Sequence, residues 1–316
     1  MVPVIEVQSL KKYFTTPRGM LHAVDDVTLQ IQKGETLGVV GESGCGKSTL
    51  GRTIIHLLER TEGRILLNGI DISDVKGKEL RKAREKMQII FQDPYSSLDP
   101  RKTVEATIKE PLRVSGMFKR DEIDRMAGEL MELVGIDNRL RLSYPHELDG
   151  GRRQRVGIAR ALALNPDFVV CDEPVSALDV SIQAQVLNLL KQLQQQKGMA
   201  YMFVTHNLSV VRHISDHICV MYLGQVVELC SSKDLFANPL HPYTKALLSA
   251  IPSVDIHNPN EPEILEGELT SPVNPKPGCR FAARCKHATA ACLQPQVQEE
   301  VSPGHFVRCC RVREIG

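Results

Sequence analysis

With 316 residues, the chain is long enough for one large domain or for a core domain with an appendage. Its residues are 42% hydrophobic and 24% charged, and a net charge of +1 gives no indication of electrostatic capture of nucleic acid or of an anionic membrane. No run approaches the ~20 apolar residues of a spanning helix, and the N-terminus lacks the basic and apolar regions of a secretory signal. We therefore expect a cytosolic protein whose membrane role, if it has one, depends on a partner subunit.

The first part of the chain has the pattern of strands followed by helices. In the first 35 residues or so, apolar residues alternate with polar ones, which predicts half-exposed antiparallel strands. Residues 36–40 form a short apolar run between two glycines, as expected of a buried strand, and a helix is predicted over 49–58. Residues of roughly 93–165 have a charged, mostly helical pattern, which we interpret as a helical insertion.

The pattern then returns to alternating strands and helices. Buried strands are predicted at 168–171 and 201–205, with an amphipathic helix between them over 181–196. Together these elements predict an α/β sheet with helices packed against it. From about residue 236 prolines become frequent, which predicts a linker or irregular appendage rather than further sheet.

A glycine-rich loop is expected between the first buried strand and the following helix. Residues 41–49 read GESGCGKST and satisfy the pattern G-x-x-x-x-G-K-[ST]. Glycines let successive backbone amides form a concave anion nest, and the helix N-terminus adds its positive dipole. We therefore predict a nucleotide site in which Lys47 reaches the β- and γ-phosphates and Ser48 coordinates Mg²⁺.

A second motif, which is acidic, follows later in the chain. The apolar strand at 168–171 ends in Asp172 and Glu173. A carboxylate at a strand end can hold the Mg²⁺ shell, and the next one can polarise an attacking water. We assign the first role to Asp172 and the second to Glu173, which makes the predicted site hydrolytic.

In this order and spacing, the motifs resemble those of ABC transporter nucleotide-binding domains over residues 4–235 or so. The resemblance implies that Tyr13 stacks on adenine, that Gln92 of the Q-loop contacts the metal and couples to a membrane subunit, and that His206 contacts the γ-phosphate. Residues 176–179 match the D-loop. The implied nucleotide contacts of the phosphate loop are Ser43, Gly44, Cys45, Gly46, Lys47, Ser48 and Thr49. The implied Mg²⁺ ligands are Ser48, Gln92 and Asp172.

One motif departs from the family pattern. The signature usually reads LSGGQ, whereas residues 148–152 read LDGGR. In the family the serine and the two glycines, here Gly150 and Gly151, contact the γ-phosphate held by the opposite subunit. At ~4 Å and an effective dielectric near ~20, Asp149 would disfavour that anion by about 4 kcal/mol, unless Arg152 neutralises it or contacts the phosphate itself. This predicts a heterodimer with unequal ATP sites; the alternative is that Asp149 is tolerated without consequence.

Nine cysteines are spread unevenly, and five of them lie in the last 38 residues. In a reducing cytosol such a cluster indicates metal or redox chemistry rather than disulfides. The segment HPYTKALL at 241–248, with the cysteines that follow, resembles the C-terminal extension of dipeptide/oligopeptide permease ATPases. That resemblance implies a [4Fe–4S] cluster, with structural Zn²⁺ or no metal as alternatives. The implied ligands are Cys279, Cys285, Cys292 and Cys309, where Cys309 is preferred to Cys310 on the family's His-x-Val-x-Cys pattern.

Taken together, the resemblance implies an α/β P-loop NTPase of ABC type over residues 1–235, with a mixed sheet core, an antiparallel β subdomain and a helical subdomain at 93–165. Residues 236–316 would form a small cysteine-rich extension. The implied activity is ATP hydrolysis that drives a di- or oligopeptide importer; a nickel or other small-solute importer and a non-transport ABC ATPase are alternatives. The implied partners are a second ATPase subunit, two transmembrane permease subunits and an extracytoplasmic substrate-binding protein, at the cytoplasmic face of the cell membrane and without nucleic acid.

Overall fold

The computed structural model describes residues 2–251, 265 and 271–315, and the chain divides into two compact units. The first, which we call the helical unit, comprises Met1–Ile5, Ile31–Glu35 and Leu66–Met202. The second, the phosphate-loop unit, comprises Glu6–Gln30, Thr36–Ile65 and Phe203–Gly316. Each unit is therefore assembled from segments that are distant in the sequence.

The elements follow one another along the chain as a mixture of strands and helices. The strands are β1 (Ile5–Thr16), β2 (Gly19–Ile31), β3 (Thr36–Val40), β4 (Glu62–Leu67), β5 (Ile70–Asp71), β6 (Met87–Ile90), β7 (Phe168–Asp172), β8 (Ala200–Val204), β9 (His217–Tyr222), β10 (Gln225–Ser231), β11 (Glu299–Ser302) and β12 (His305–Val307). The helices are α1 (Lys47–Ile54), α2 (Gly77–Lys86), α3 (Pro94–Ser97), α4 (Val104–Ser115), α5 (Arg120–Leu133), α6 (Gly150–Leu162), α7 (Val180–Lys197), α8 (Leu208–Ile214), α9 (Ser232–Ala237), α10 (Pro242–Ser249) and α11 (Val312–Ile315). In the described ranges, no helix combines the length and the apolar character needed to cross a bilayer.

The phosphate-loop unit is built on a sheet whose strand order is β11-β12-β10-β9-β3. β3 and β9 are parallel, whereas β9, β10, β12 and β11 pair antiparallel in turn. Every residue of β3 is buried, which explains its uninterrupted apolar sequence, since a parallel strand is covered on both faces. In a second sheet β1 lies between β2 and β4, and only two residues connect β1 to β2, as in an antiparallel hairpin.

The helical unit combines a parallel strand pair with a group of packed helices. Ile89 of β6 lies opposite Val170 of β7. α4 packs against both α5 and α6, and α6 also contacts α3 and α7. Thr103 caps the first turn of α4 and Asp149 caps that of α6, since each side chain accepts a backbone N–H three residues on. The apolar faces of these helices supply the buried core of the unit.

Most predicted elements have the expected type, with ends that differ by a few residues. The helix predicted over 49–58 begins two residues earlier and ends at Ile54. The prediction for the C-terminal residues was wrong in one respect, because β11 and β12 extend the sheet through β10. The two strands lie beyond the proline-rich stretch and turn at Pro303-Gly304, so the proline composition of the segment as a whole did not reveal them.

A buried carboxylate fixes the C-terminal segment to this sheet. Glu228 of β10 is fully buried, and it accepts hydrogen bonds from the backbone N–H groups of Leu240 (2.8 Å) and His241 (3.0 Å). Its Oε1 also lies 2.7 Å from Nε2 of His305 on β12. Burial by itself raises the pKa of Glu228, but these hydrogen bonds outweigh burial and leave the pKa below its ordinary value.

Replacing Glu228 by Ala is expected to lower the free energy of unfolding by about 3 kcal/mol at pH 7. The substitution leaves the buried N–H groups of Leu240 and His241, and the ring of His305, without their acceptor. Because the pKa of Glu228 is lower in the folded state than its ordinary value of 4.5, the whole contribution to stability is present above pH 4.5. It is lost as the pH falls through the pKa of the folded state. The difference between the two proteins should therefore shrink in acid, as measured by circular dichroism in urea. Glu129→Ala, at an exposed position, is the control; an equal loss there would contradict the assignment.

Candidate functional site

The phosphate loop connects β3 to α1 and depends on glycine at two crowded positions. Gly41 has φ of 148° and Gly46 has φ of 103°, a region that other residues rarely adopt. A Cβ atom would also collide with the carbonyl oxygen of Met221 at Gly41, and with that of Ala23 at Gly46. The glycines therefore permit both the backbone turn and its close approach to neighbouring strands.

Lys47 lies within the curve of this loop. It is 5% exposed, and its ammonium group donates hydrogen bonds to the carbonyl oxygens of Gly41 (2.8 Å) and Glu42 (2.9 Å). Ser48 and Thr49 stand with it in the first turn of α1, where helix amides have no partner four residues back. A buried cation beside a helix N-terminus is an arrangement suited to phosphate oxygens. Ser43 and Gly44 are exposed at the tip of the loop, and Cys45 is buried beneath it.

Tyr13 of β1, the predicted adenine platform, belongs to a polar network. Its ring stacks on His22 with centroids 3.9 Å apart, and its hydroxyl donates to Asp25. Arg280 pairs with the same carboxylate. Burial raises the pKa of Asp25, but the bond from Tyr13 and the guanidinium of Arg280 outweigh it and leave the pKa below its usual range. One face of the Tyr13 ring is thus covered by His22.

His206 follows the end of β8 and is exposed. The preceding residue, Thr205, donates its backbone N–H to the carbonyl oxygen of Val39, 3.2 Å away. Val39 belongs to the strand that leads into the phosphate loop. His206 and the predicted phosphate loop therefore follow the ends of two neighbouring strands in the phosphate-loop unit.

The helical unit holds the predicted hydrolytic carboxylates. Asp172 is buried at the end of β7, and Glu173 follows it with φ of 48°, in the left-handed region. Nε2 of Gln92 donates to Oε2 of Glu173 at 3.1 Å. The amide of Gln92 and the carboxylate of Glu173, far apart in the sequence, are therefore brought into direct contact.

The altered signature begins helix α6. Asp149 caps this helix by accepting the backbone N–H of Arg152 at 2.7 Å, and its other oxygen lies 3.4 Å from Nε of the same arginine. Both side chains are more than half exposed. Of the two roles considered for Arg152, the structure has it paired with Asp149. Gly150 and Gly151 form the first turn of the helix, and a Cβ at Gly151 would meet the side chain of Ile182 at 2.6 Å.

The four predicted cluster ligands share one cavity. Cys279, Cys285, Cys292 and Cys309 line the same small cavity, which Cys310 does not line. Cys310 is exposed, and its sulfur lies 3.9 Å from that of Cys292. Burial raises the pKa of Cys279 to about 11, so it remains a thiol at neutral pH unless a metal ion displaces its proton.

Another possible metal-ligand group was not predicted from the sequence. Glu228, Cys230 and His305 place ligand atoms within 4.8 Å of one another, and all three are buried. However, both oxygens of Glu228 already accept backbone hydrogen bonds. The carboxylate oxygens of Glu228 are thus already used in hydrogen bonds within the fold. We therefore interpret Glu228, Cys230 and His305 as a group that stabilises the fold rather than as a metal site.

The sequence also missed the arginines that contact the nucleotide-binding elements. Arg280 reaches Asp25, Arg284 reaches Glu42 of the phosphate loop, and Arg308 reaches Asp26. Each pair is separated by more than 240 residues, so no local pattern indicates it. In the sequence, each of these three arginines is adjacent to a cysteine.

Comparison with known proteins agrees with these motifs. Residues 24–176 match the ABC transporter family, and residues 227–292 match the oligopeptide/dipeptide transporter C-terminal region. The oligopeptide transport ATP-binding protein AppF of Bacillus subtilis is 50% identical over 318 residues, covering 97% of this chain and 96% of AppF. The chain belongs to this family of ABC transporter ATP-binding proteins.

Further relatives of this ABC ATPase support the same fold and chemistry. OppF of Salmonella typhimurium, an oligopeptide transport ATP-binding protein, is 50% identical over 311 residues, covering 97% of this chain and 93% of OppF. The ATP-binding cassette MJ0796, in a dimeric post-hydrolysis state bound to ADP and phosphate, superposes with a TM-score of 0.65 at 30% identity. It covers 72% of this chain and 98% of its own. The expected ABC fold and the ATPase class are thereby confirmed.

Replacing Gly46 by Ala in this ABC ATPase is expected to weaken ATP binding at least tenfold, because the methyl group collides with the Ala23 carbonyl and displaces the loop. Gly34→Ala is the matched control, since Gly34 also has positive φ (74°) but no atom lies within 4 Å of the added methyl group. It should cost about 1 kcal/mol of stability and leave nucleotide affinity unchanged. Isothermal titration with ATP tests both, and equal affinities of the two variants would contradict the role assigned to Gly46.

Proposed function

We propose that this chain is the ATP-hydrolysing subunit of an importer for di- and oligopeptides. The observation that carries the proposal is a complete phosphate loop in a chain that is half identical, from end to end, to proteins named for oligopeptide transport. The match to the oligopeptide/dipeptide transporter C-terminal region supports peptides over nickel as the solute. It also supports a transporter over a non-transport ABC ATPase.

The assigned roles combine the residue chemistry with the geometry of each unit. Lys47 would bind the phosphates, and His206 would contact the γ-phosphate. The predicted Mg²⁺ ligands Ser48, Gln92 and Asp172 offer a hydroxyl, an amide and a carboxylate, which are the oxygen donors that Mg²⁺ prefers. Bound Mg²⁺ would offset phosphate charge, while the protein supplies the orientation of the water.

Glu173 is the proposed water-orienting base. Its left-handed backbone conformation costs about 1 kcal/mol for a residue with a side chain, and strain of this kind concentrates at functional sites. The hydrogen bond from Gln92 fixes the direction of its carboxylate. A carboxylate directed in this way can accept a proton from a water that attacks the γ-phosphate.

Glu173→Gln should bind ATP with normal affinity but lose at least about 100-fold in hydrolysis, because the amide cannot act as a base. The assay uses the chain assembled with its permease subunits in vesicles loaded with ATP, and follows both phosphate release and uptake of labelled peptides. Glu129→Gln, on an exposed helix face, is the matched control. Near-normal turnover of Glu173→Gln would reject the base assignment, and ATP-driven uptake of nickel without peptides would reject the proposed solute.

The proposed assembly has a second ATPase subunit, two transmembrane permease subunits and an extracytoplasmic binding protein, with this chain at the cytoplasmic face of the membrane. A heterodimer is favoured by Asp149, whose carboxylate adds negative charge where the family has a serine hydroxyl. Its pairing with Arg152 in a half-exposed setting reduces that charge without removing it. Rapid, cooperative hydrolysis by this chain alone as a homodimer would contradict the heterodimer.

The cysteine cavity is proposed to hold a [4Fe–4S] cluster. Four sulfurs bound to one Zn²⁺ at ~2.3 Å would lie only about 3.8 Å apart. Among the described residues, no three of the cavity sulfurs form a group within 4.8 Å of one another, which is a looser arrangement than a zinc site has. Wider spacing suits a cubane, in which each thiolate binds a different iron. The metal would supply folding energy to a segment with a small core.

Cys309→Ala is expected to lose the cluster, whereas Cys310→Ala should retain it, because only Cys309 lines the cavity. After anaerobic reconstitution, iron and sulfide analysis should give about four irons for the unmodified chain and for Cys310→Ala. The reverse result for the two variants would show that the fourth ligand is misassigned. One zinc per chain without sulfide would overturn the iron cluster.

A further inference from the structure

Three cavity cysteines have an arginine as their immediate sequence neighbour. Arg280 follows Cys279, Arg284 precedes Cys285, and Arg308 precedes Cys309. The guanidinium groups of these arginines all end on carboxylates of β2 or the phosphate loop. The three carboxylates are Asp25, Glu42 and Asp26, respectively. The cysteine-rich segment is therefore attached to the nucleotide-binding elements through charged groups.

The contact with the phosphate loop is the most direct of the three. Nη1 of Arg284 lies 2.9 Å and 3.1 Å from the two carboxylate oxygens of Glu42, and the arginine side chain is only 8% exposed. The backbone N–H of Glu42 donates to the hydroxyl of Tyr243 at 2.9 Å. The carbonyl oxygen of Glu42 in turn accepts a hydrogen bond from the ammonium group of Lys47. Glu42 is thus held by the C-terminal segment on one side and holds the phosphate-binding lysine on the other.

The tyrosine itself is part of the same buried group. Tyr243, Tyr222 and Phe281 pack against one another with ring centroids 4.7–5.4 Å apart, and Tyr222 meets each of the other two rings edge to face. Phe281 lies between the first two cavity cysteines in sequence and lines the same cavity as their sulfurs. A structural change in the cavity would therefore affect both Arg284 and Tyr243, whose hydroxyl accepts the hydrogen bond from the Glu42 backbone N–H.

The second contact, made by Arg280, lies at the part of the site that is proposed to bind adenine. Arg280 pairs with Asp25 and donates to the carbonyl oxygen of Leu223. Asp25 is the acceptor of the Tyr13 hydroxyl. The same segment thus constrains the aromatic ring proposed to receive adenine and the loop proposed to receive the phosphates.

We propose that Arg284 and Tyr243 are positioning residues for ATP: they fix Glu42, and through it the loop that holds Lys47, so that an ordered cysteine-rich segment raises nucleotide affinity. The proposal rests on the proposed function only in taking an adenine nucleotide as the ligand of the loop, and it holds whichever metal the cysteines carry. Coupling of this kind is reciprocal. Bound nucleotide must therefore stabilise the cysteine cavity by the same factor by which the ordered cavity strengthens nucleotide binding.

The first test measures binding of fluorescent N-methylanthraniloyl-ADP to the full-length chain. Arg284→Gln and Glu42→Gln are each expected to raise Kd about tenfold, and the double variant should be no weaker than either. Arg284→Lys should recover part of the affinity, because it restores the charge without the planar guanidinium. Arg311→Gln is the matched control: it removes another cysteine-adjacent arginine whose contacts, to His287 and Glu314, remain within the C-terminal segment.

The second test measures the reciprocal effect without any nucleotide hydrolysis. ADP is expected to slow alkylation of the cavity cysteines by iodoacetamide about tenfold in the unmodified chain, and to have little effect in Arg284→Gln. Circular dichroism melting establishes that the variants are folded. Unchanged Kd in both Arg284→Gln and Glu42→Gln, or an equal loss in Arg311→Gln, would overturn the coupling. Failure of the unmodified chain to bind the ADP analogue would instead contradict the proposed function.

Discussion

The hydrogen bonds from Lys47 to the carbonyls of Gly41 and Glu42 are the interaction on which the candidate site depends. A buried ammonium group needs hydrogen-bond partners, and these two carbonyls provide them. They can face inward only because Gly41 and Gly46 adopt backbone angles that a side chain would prevent. The curvature of the loop therefore depends on these two glycines together with the buried lysine.

Local motifs predicted most of this site, because the chemistry of a phosphate loop resides in consecutive residues. Lys47 and the glycines could be placed from the sequence, as could the buried strand before them. The convergence of four cysteines was implied by family resemblance rather than by any local rule. The direct contact of Gln92 with Glu173 was not predicted. The partners of Arg280, Arg284 and Arg308 were not predicted at all, because only tertiary folding brings them within reach.

Two differences between sequence and structure have the same physical origin. β12 joins the sheet because its partner β10 presents an open edge, and a short strand needs such a partner more than it needs a strong propensity. Asp149 was assessed as a charge facing a phosphate, and the structure adds that the same side chain caps α6. In both cases the folded chain supplies an interaction that the sequence pattern alone did not indicate.

The cap at Asp149 changes how the altered signature should be understood. A serine at an N-cap accepts a backbone N–H with its oxygen and keeps a hydroxyl hydrogen to donate. Aspartate accepts the same N–H, here from Arg152, but has no hydrogen to offer a phosphate. The substitution therefore preserves the start of the helix while removing one donor and adding one negative charge. Stability of α6 and affinity for an opposing phosphate are thus separable properties of this position, and only the second is expected to suffer.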